Sequence, residues 1–258
     1  MLHYQEFQPA EGKKRNERTI VLLHGLGAHG DMWQFQWPAL VDAGYRVIVP
    51  DFPGFGKSVY KKGPIDVKTL SDDIYEFLKK INVQRAHFVG LSLGGAVAMQ
   101  FALDHPVIVD HLVLANTSAR FLGKGKSLYF LLRFLSLRVT PRRVIAKAIS
   151  RYTFPKKDQE EIRQAFIAQF MSANRRAYKR LAISFTKYDL TGRVQQIRLP
   201  TLIIGGNEDR TLPLHMQEYL HSKIKGSQFL ALDSGHVSSI DQSDAFNQAV
   251  LDFLGQER

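Results

Sequence analysis

Ser92 stands at the centre of Gly90-Leu91-Ser92-Leu93-Gly94, between apolar Phe88-Val89 and the helix-favouring run AVAMQFALDH. A G-x-S-x-G stretch between a strand and a helix makes a sharp elbow that holds the serine side chain clear of the backbone. Glycines at 90 and 94 supply the clearance such crowding demands, and Gly95 extends it into the first helical turn. A helix starting at Leu93 aims its free N–H groups and positive dipole end at the same place. The chemistry this suits is attack on a carbonyl, with negative charge developing on an oxygen beside the helix.

A serine hydroxyl is a poor nucleophile near neutral pH. It needs a base within hydrogen-bond reach and a carboxylate to fix that base's tautomer. Of nine histidines, His236 is selected because it lies in the turn Ser234-Gly235-His236, directly after the last expected strand. For the acid, the loop Gly205-Gly206-Asn207-Glu208-Asp209-Arg210 follows the strand expected at 200–204, and Asp209 is preferred over Glu208 and Asp233. His24, just before Gly25, suits a loop-shaping hydrogen bond. His87 and His111 are expected to begin strands and His105 to end a helix. His3, His29, His215 and His221 are expected at solvated or loop positions.

Two backbone N–H groups should hold the oxyanion, one after the nucleophile and one in the loop after the first core strand. These are Leu93 and Leu26, each typically worth roughly 3 kcal/mol of transition-state stabilisation. Their side chains are expected to face the acyl pocket, which with neighbouring residues comprises His24, Gly25, Leu26 and Leu93. The absence of cysteine removes thiolate chemistry and Cys-ligated metals. The chemistry requires no metal and no organic cofactor.

The positioning elements follow from hydrophobic patterning. Near-continuous apolar runs at Thr19–Leu23, Arg46–Pro50, Ala86–Gly90, His111–Ala115, Pro200–Ile204 and Gln228–Leu232 suit strands covered on both faces, and Leu2–Gln8 suits an edge strand. Helical patterns lie between them: Asp31–Ala43, a helix capped by Asp66 and running to about Lys80, the elbow helix to Asp104, Leu214–Lys223 and Gln242–Leu254. Glu11–Arg18 is a charged turn. Alternating strands and helices imply a mostly parallel sheet with helices on both faces and ligands beyond the strands' carboxyl ends.

From Ser118 to about Leu190 the rhythm breaks into a basic, helix-favouring stretch. Residues 1–117 and 191–258 are therefore expected to form one core domain and 118–190 a helical cap. The net charge of +11 resides in that cap, which holds 17 Lys and Arg against 4 Asp and Glu. No zinc-finger, RNA-binding or zipper pattern accompanies it, so specific nucleic-acid recognition has little support. Solvated helix faces, steering of an anionic substrate and a weak contact with an anionic surface remain open. The N-terminus is too polar for a signal peptide, and the longest apolar run, 128–137, is short and broken by Arg133. A soluble, cytoplasmic protein is expected.

With His24-Gly25, the loop Asp51–Ser58, Gly90–Gly95, Asp209–Pro213 and Gly235-His236 in that order, nearly the whole chain resembles the α/β-hydrolase fold superfamily. The resemblance implies that fold, with nucleophile, acid and base at Ser92, Asp209 and His236 and a cap at 118–190. A serine at position 92 sets it apart from haloalkane dehalogenases and epoxide hydrolases, which use aspartate. Ala115–Arg120 is similar to a stretch of 3-oxoadipate enol-lactonases, and Asp51–Gly56 to loops of carboxylesterases and carbon–carbon hydrolases. The N-terminus is shorter by a strand than the usual antiparallel edge. The expected activity is hydrolysis of small or medium carboxylic esters through an acyl-enzyme, with a small-molecule acyl ester as partner. Alternatives on the same triad are a lactonase, a carbon–carbon hydrolase, or a ligand receptor with slow residual hydrolysis.

Overall fold

The computed structural model describes residues 1–10, 18–121 and 140–255 of the chain. Residues 11–17 of the charged turn expected at Glu11–Arg18 and the apolar run at 128–137 lie outside them.

Seven strands form one sheet: β1 (Tyr4–Phe7), β2 (Thr19–Leu23), β3 (Arg46–Pro50), β4 (Ala86–Leu91), β5 (Val109–Ala115), β6 (Thr201–Gly206) and β7 (Gln228–Leu232). Their order is β1-β3-β2-β4-β5-β6-β7. Only β1 is antiparallel, pairing Tyr4 with Pro50 and Phe7 with Val47 on the β3 edge. Every residue of β2, β4, β5 and β6 is buried, so these strands need continuous apolar sequence and not alternation.

Side chains of β2 alternate between the sheet's two faces. Val21 and Leu23 pack into one core with α2 (Val67–Lys80) and α3 (Leu93–Asp104). Ile20 and Leu22 pack into the other with α1 (Trp37–Asp42), where Trp33 and Phe246 also meet. Asp66 caps α2 by accepting the Thr69 N–H at 2.8 Å. α3 is buried almost all round because it crosses beneath the middle of the sheet.

The helix expected over 31–43 is two pieces. Gly30–Trp33 forms a 3₁₀ turn and α1 begins only at Trp37. Pro38 occupies the first turn of α1, where its missing N–H costs nothing, but it cannot continue a preceding helix. β5 starts two residues before the expected His111, and β6 runs on through Gly205 and Gly206.

Between β5 and β6 lie three described helices: α4 (Arg142–Thr153), α5 (Glu160–Ser172) and α6 (Arg175–Phe185). α4 and α5 meet at Ala146, Ile167 and Phe170, whereas α6 joins the main core through Ala177, Leu181 and Phe185. An antiparallel bridge between Arg120 and Asp189 closes the base of this insertion. Part of its positive charge is structural. The Arg142 guanidinium donates to the Phe170 and Ala173 carbonyls at the end of α5, and Arg163 donates to the carbonyls of Phe154 (2.8 Å) and Lys156 (2.6 Å). Cations suit these carbonyl-rich helix ends. No helix among the described residues is long and apolar enough to cross a membrane.

After β6 come α7 (His215–Lys223), β7, the short α8 (Ser238–Asp241) and α9 (Ser243–Leu254), which packs beside α1.

Candidate active site

Ser92 joins β4 to α3 with φ 55° and ψ −114°, a conformation that a residue with a β-carbon adopts only under constraint. The constraint is visible on every side. The Ser92 N–H donates to Ala115 O at 2.9 Å, and its carbonyl accepts from Thr117 Oγ1 at 2.7 Å. A β-carbon on Gly94 would stand 2.0 Å from Leu23 O, and one on Gly90 would stand 2.4 Å from Gly94 O. Strand, elbow and helix are therefore in backbone contact, and the turn has no room to relax.

Ser92 Oγ lies 3.0 Å from His236 Nε2, and His236 Nδ1 lies 2.8 Å from Asp209 Oδ2. An ionised carboxylate only accepts, so Nδ1 carries the proton and the Nε2 lone pair faces the serine hydroxyl. Asp209 is wholly shielded from solvent. Its second oxygen accepts the N–H groups of Thr211 (2.8 Å) and Leu212 (2.9 Å). The rivals Glu208 and Asp233 are both exposed.

The histidine loop is pinned at Gly235. Its N–H donates to Asp241 Oδ2 at 2.8 Å, and its carbonyl accepts from Asn116 Nδ2 at 3.1 Å. Burial pushes the Asp241 carboxyl above its ordinary range, partly offset by that N–H and by Lys156 and Gln159. Gln159, from the insertion, reaches the other Asp241 oxygen at 2.6 Å. Sequence reasoning missed both Asn116 and Asp241. The available signal for Asn116 was an asparagine directly after an apolar strand, at the edge where the other site loops lie.

Leu93 begins α3 and Leu26 follows β2, and neither N–H donates to a protein acceptor among the described residues. The direction of the Leu26 N–H is set by its own peptide plane. Gly25 O, in that plane, accepts His24 Nδ1–H at 2.9 Å, while His24 Nε2 accepts the Phe52 N–H at 2.9 Å. These two bonds require the neutral ring. Burial pulls the His24 pKa down to about 4, against the raising influence of Gly25 O and Asp51.

A cavity of about 1050 Å³ opens over Ser92 and His236. Gly25, Leu26 and Met32 form its floor with Ser92, and Ile145, Ile149, Phe166, Phe170, Tyr178 and Phe185 of the insertion wall it. Gln34, Gln169, Arg210 and His215 supply polar points. His24 and Leu93, expected in the pocket, do not line it. The His24 ring is enclosed near Phe52 and Phe55, and the Leu93 side chain is in the main core. A residue that offers its N–H to the site at a helix start turns its side chain along the helix, here into the protein.

Of the other histidines, His87 and His111 lie near the starts of β4 and β5 as expected, and His3 lies in a loop. His87 and His111 meet across β4 and β5, Nδ1 to Nδ1 at 3.1 Å, deep in the core. His3 holds Asp51 at 3.0 Å, and His215 lines the cavity. His105 ends α3 as expected. No cluster of potential metal ligands occurs among the described residues.

A doubly wound sheet with a serine elbow at its carboxyl edge defines an α/β-hydrolase architecture. The family model described as the alpha/beta hydrolase fold matches residues 18–243, and the chain belongs to that family. A putative carbamate hydrolase, RutD, of Variovorax paradoxus (strain S110) is 29% identical, with 99% of this chain and 96% of that protein covered. The crystal structure of a hydrolase from Pseudomonas aeruginosa PA01 is similar with TM-score 0.88 and 31% identity, covering 98% of this chain and 94% of that one. The enol-lactonase from Burkholderia xenovorans LB400 gives TM-score 0.89 and 28% identity, covering 99% and 96%. Family and relatives together support a hydrolase.

Proposed function

We propose that the chain is a serine hydrolase that cleaves carboxylic esters with apolar acyl groups of small to medium length, through an acyl-enzyme. The observation that carries this is the continuous Ser92–His236–Asp209 chain of hydrogen bonds at the floor of an apolar cavity. Ser92 Oγ attacks the ester carbonyl carbon as His236 Nε2 takes its proton. The imidazolium so formed is stabilised by Asp209, and the oxyanion by the Leu26 and Leu93 N–H groups. His236 then returns the proton to the departing alkoxide, leaving the acyl group on Ser92. Water attacks that acyl carbon with His236 again as base, and the acid is released. The cavity lies at the upper end of the roughly 300–1,000 Å³ usual for small-ligand sites, which favours a medium over a very short acyl chain.

Steady-state hydrolysis of p-nitrophenyl acetate, butyrate, octanoate and palmitate by wild type and Ser92→Ala tests this reading. Butyrate or octanoate is expected to give the highest kcat/KM, and the variant to lose about 10⁴-fold or more of kcat. A folded Ser92→Ala protein with undiminished turnover would refute it. Similarity to an enol-lactonase favours one second reading, cleavage of a cyclic ester by the same groups. A lactone panel hydrolysed well above the open-chain esters would select it.

A further inference from the structure

We infer that Asn116 is the positioning residue that holds the acid and the base in register, and that its amide tunes the basicity of the Asp209–His236 pair. The inference rests on the catalytic reading of Ser92, Asp209 and His236 given above.

Asn116 follows β5 directly and has no solvent exposure. Its φ of 44° lies in the left-handed region, which asparagine tolerates better than other residues with a β-carbon. Its N–H donates to Ile204 O in β6 at 2.8 Å, so the backbone is fixed to the sheet. The side chain then reaches two segments that are remote in sequence, one at Asp209 and one at Gly235–Ser238. Nδ2 donates to Asp209 Oδ2 at 3.2 Å and to Gly235 O at 3.1 Å. Oδ1 accepts the Ser238 N–H at 3.3 Å and the Ser238 hydroxyl at 2.5 Å. The orientation of the amide is unambiguous, because Gly235 O can only accept and the Ser238 N–H can only donate.

One planar group therefore touches the acid and brackets the base, at the residue before His236 and at the second residue after it. Both donors and the acceptor of the side chain are used inside the protein, a far more exacting demand than filling volume. The contact with Asp209 is on Oδ2, the oxygen that also accepts His236 Nδ1–H. A second donor on that oxygen draws off part of its negative charge. It thereby limits how strongly Asp209 stabilises an imidazolium at position 236. No other side chain donates to Oδ2 among the described residues.

Two substitutions separate this role from packing. Asn116→Gly keeps the left-handed backbone without a β-carbon and deletes the amide. With p-nitrophenyl butyrate it is expected to lower kcat about 10- to 100-fold while KM changes less than about threefold, since the acyl cavity is untouched. The acidic limb of its kcat/KM–pH profile should move to higher pH, because Oδ2 is freed to hold the imidazolium more tightly. Asn116→Asp keeps the volume and serves where the glycine variant does not fold. When protonated it can still donate to Asp209. When ionised it sets two carboxylates against each other, so its activity relative to wild type should fall at least about tenfold from about pH 5.5 to about pH 8.5.

Lower kcat with an unmoved acidic limb in Asn116→Gly, or a pH-independent ratio in Asn116→Asp, would show a merely structural residue and overturn the inference. Wild type and Ser92→Ala are assayed alongside. Equal turnover by those two would instead overturn the reading of Ser92 itself.

Discussion

The elbow beneath Ser92 and the insertion above it are built to different tolerances. At the elbow, backbone packs on backbone: a β-carbon at Gly94 would meet Leu23 O at 2.0 Å, and the Ser92 carbonyl and N–H both have partners. Asp209 accepts the N–H groups of Thr211 and Leu212, and Gly235, beside His236, is tied to the Asn116 amide and the Asp241 carboxylate. The insertion is held mainly by side chains: Ala177, Leu181 and Phe185 of α6 pack into the main core, Ser184 Oγ donates to Ile65 O at 2.9 Å and Gln159 to Asp241 at 2.6 Å, while the Asn174 N–H donates to Gly54 O at 2.6 Å. Its described inner face is largely aromatic and aliphatic. On the proposed function, chemistry is expected to depend on the elbow and its partners and selectivity on the insertion that walls the cavity. Changes below should abolish activity or folding, and changes above should redirect activity.

After Ser92 itself, the largest expected effect is at Asp209. Asp209→Asn leaves an amide that cannot fix the productive His236 tautomer, and kcat should fall by about 10³- to 10⁴-fold without loss of fold, read by steady-state kinetics and circular dichroism. A loss under tenfold would mean the buried carboxylate is not the orienting group. Next is Gly94→Ala, which forces Leu23 and α3 apart and should cost about 4 kcal/mol or more of stability in urea titration. Near-native stability there would contradict the close packing on which the comparison rests. In the insertion, Phe170→Ala empties part of the cavity wall. It should shift the preferred p-nitrophenyl ester to a longer acyl chain, with kcat for the best substrate changing less than about fivefold. A uniform loss across chain lengths would place Phe170 with the chemistry instead.

The smallest effect is electrostatic. The folded His24 pKa of about 4 lies below the ordinary histidine value of about 6.5, so unfolding takes up a proton between those values. His24 therefore contributes stability that is complete above about pH 6.5 and is lost as pH falls toward 4, at most about 3 kcal/mol. His24→Gln can make both bonds to Gly25 and Phe52 without titrating. The stability difference between wild type and this variant should narrow or reverse in the variant's favour as pH drops from 7 to 4.5. A pH-independent difference would show that His24 is not buried neutral.

Much of the fold was legible because parallel strands covered on both faces leave an unmistakable apolar signature, as in TIVLL and RVIVP. Glycine-rich turns following those strands also marked the sheet's working edge, where Ser92, Asp209 and His236 are brought together. What escaped is side-chain direction. Leu93 and His24 stand beside site residues in sequence but turn into the core, which no spacing rule distinguishes from facing the cavity. Asn116 escaped because its importance lies in contacts with residues 93 and more positions away. The break at residues 34–36 escaped because apolar periodicity continues across it from Trp33 to Leu40, and only Pro38 hinted at a new start.

The central claim is that Ser92 is the nucleophile and that the fold beneath it supplies its reactivity. It is tested most directly by reaction with a fluorophosphonate, in which the serine oxygen forms the O–P bond, fluoride leaves and His236 accepts the hydroxyl proton. Peptide mass spectrometry of the labelled chain should place one phosphonyl group on Ser92, with labelling abolished in Ser92→Ala and strongly slowed in His236→Ala. Labelling of another residue, or equal labelling of wild type and Ser92→Ala, would contradict the account.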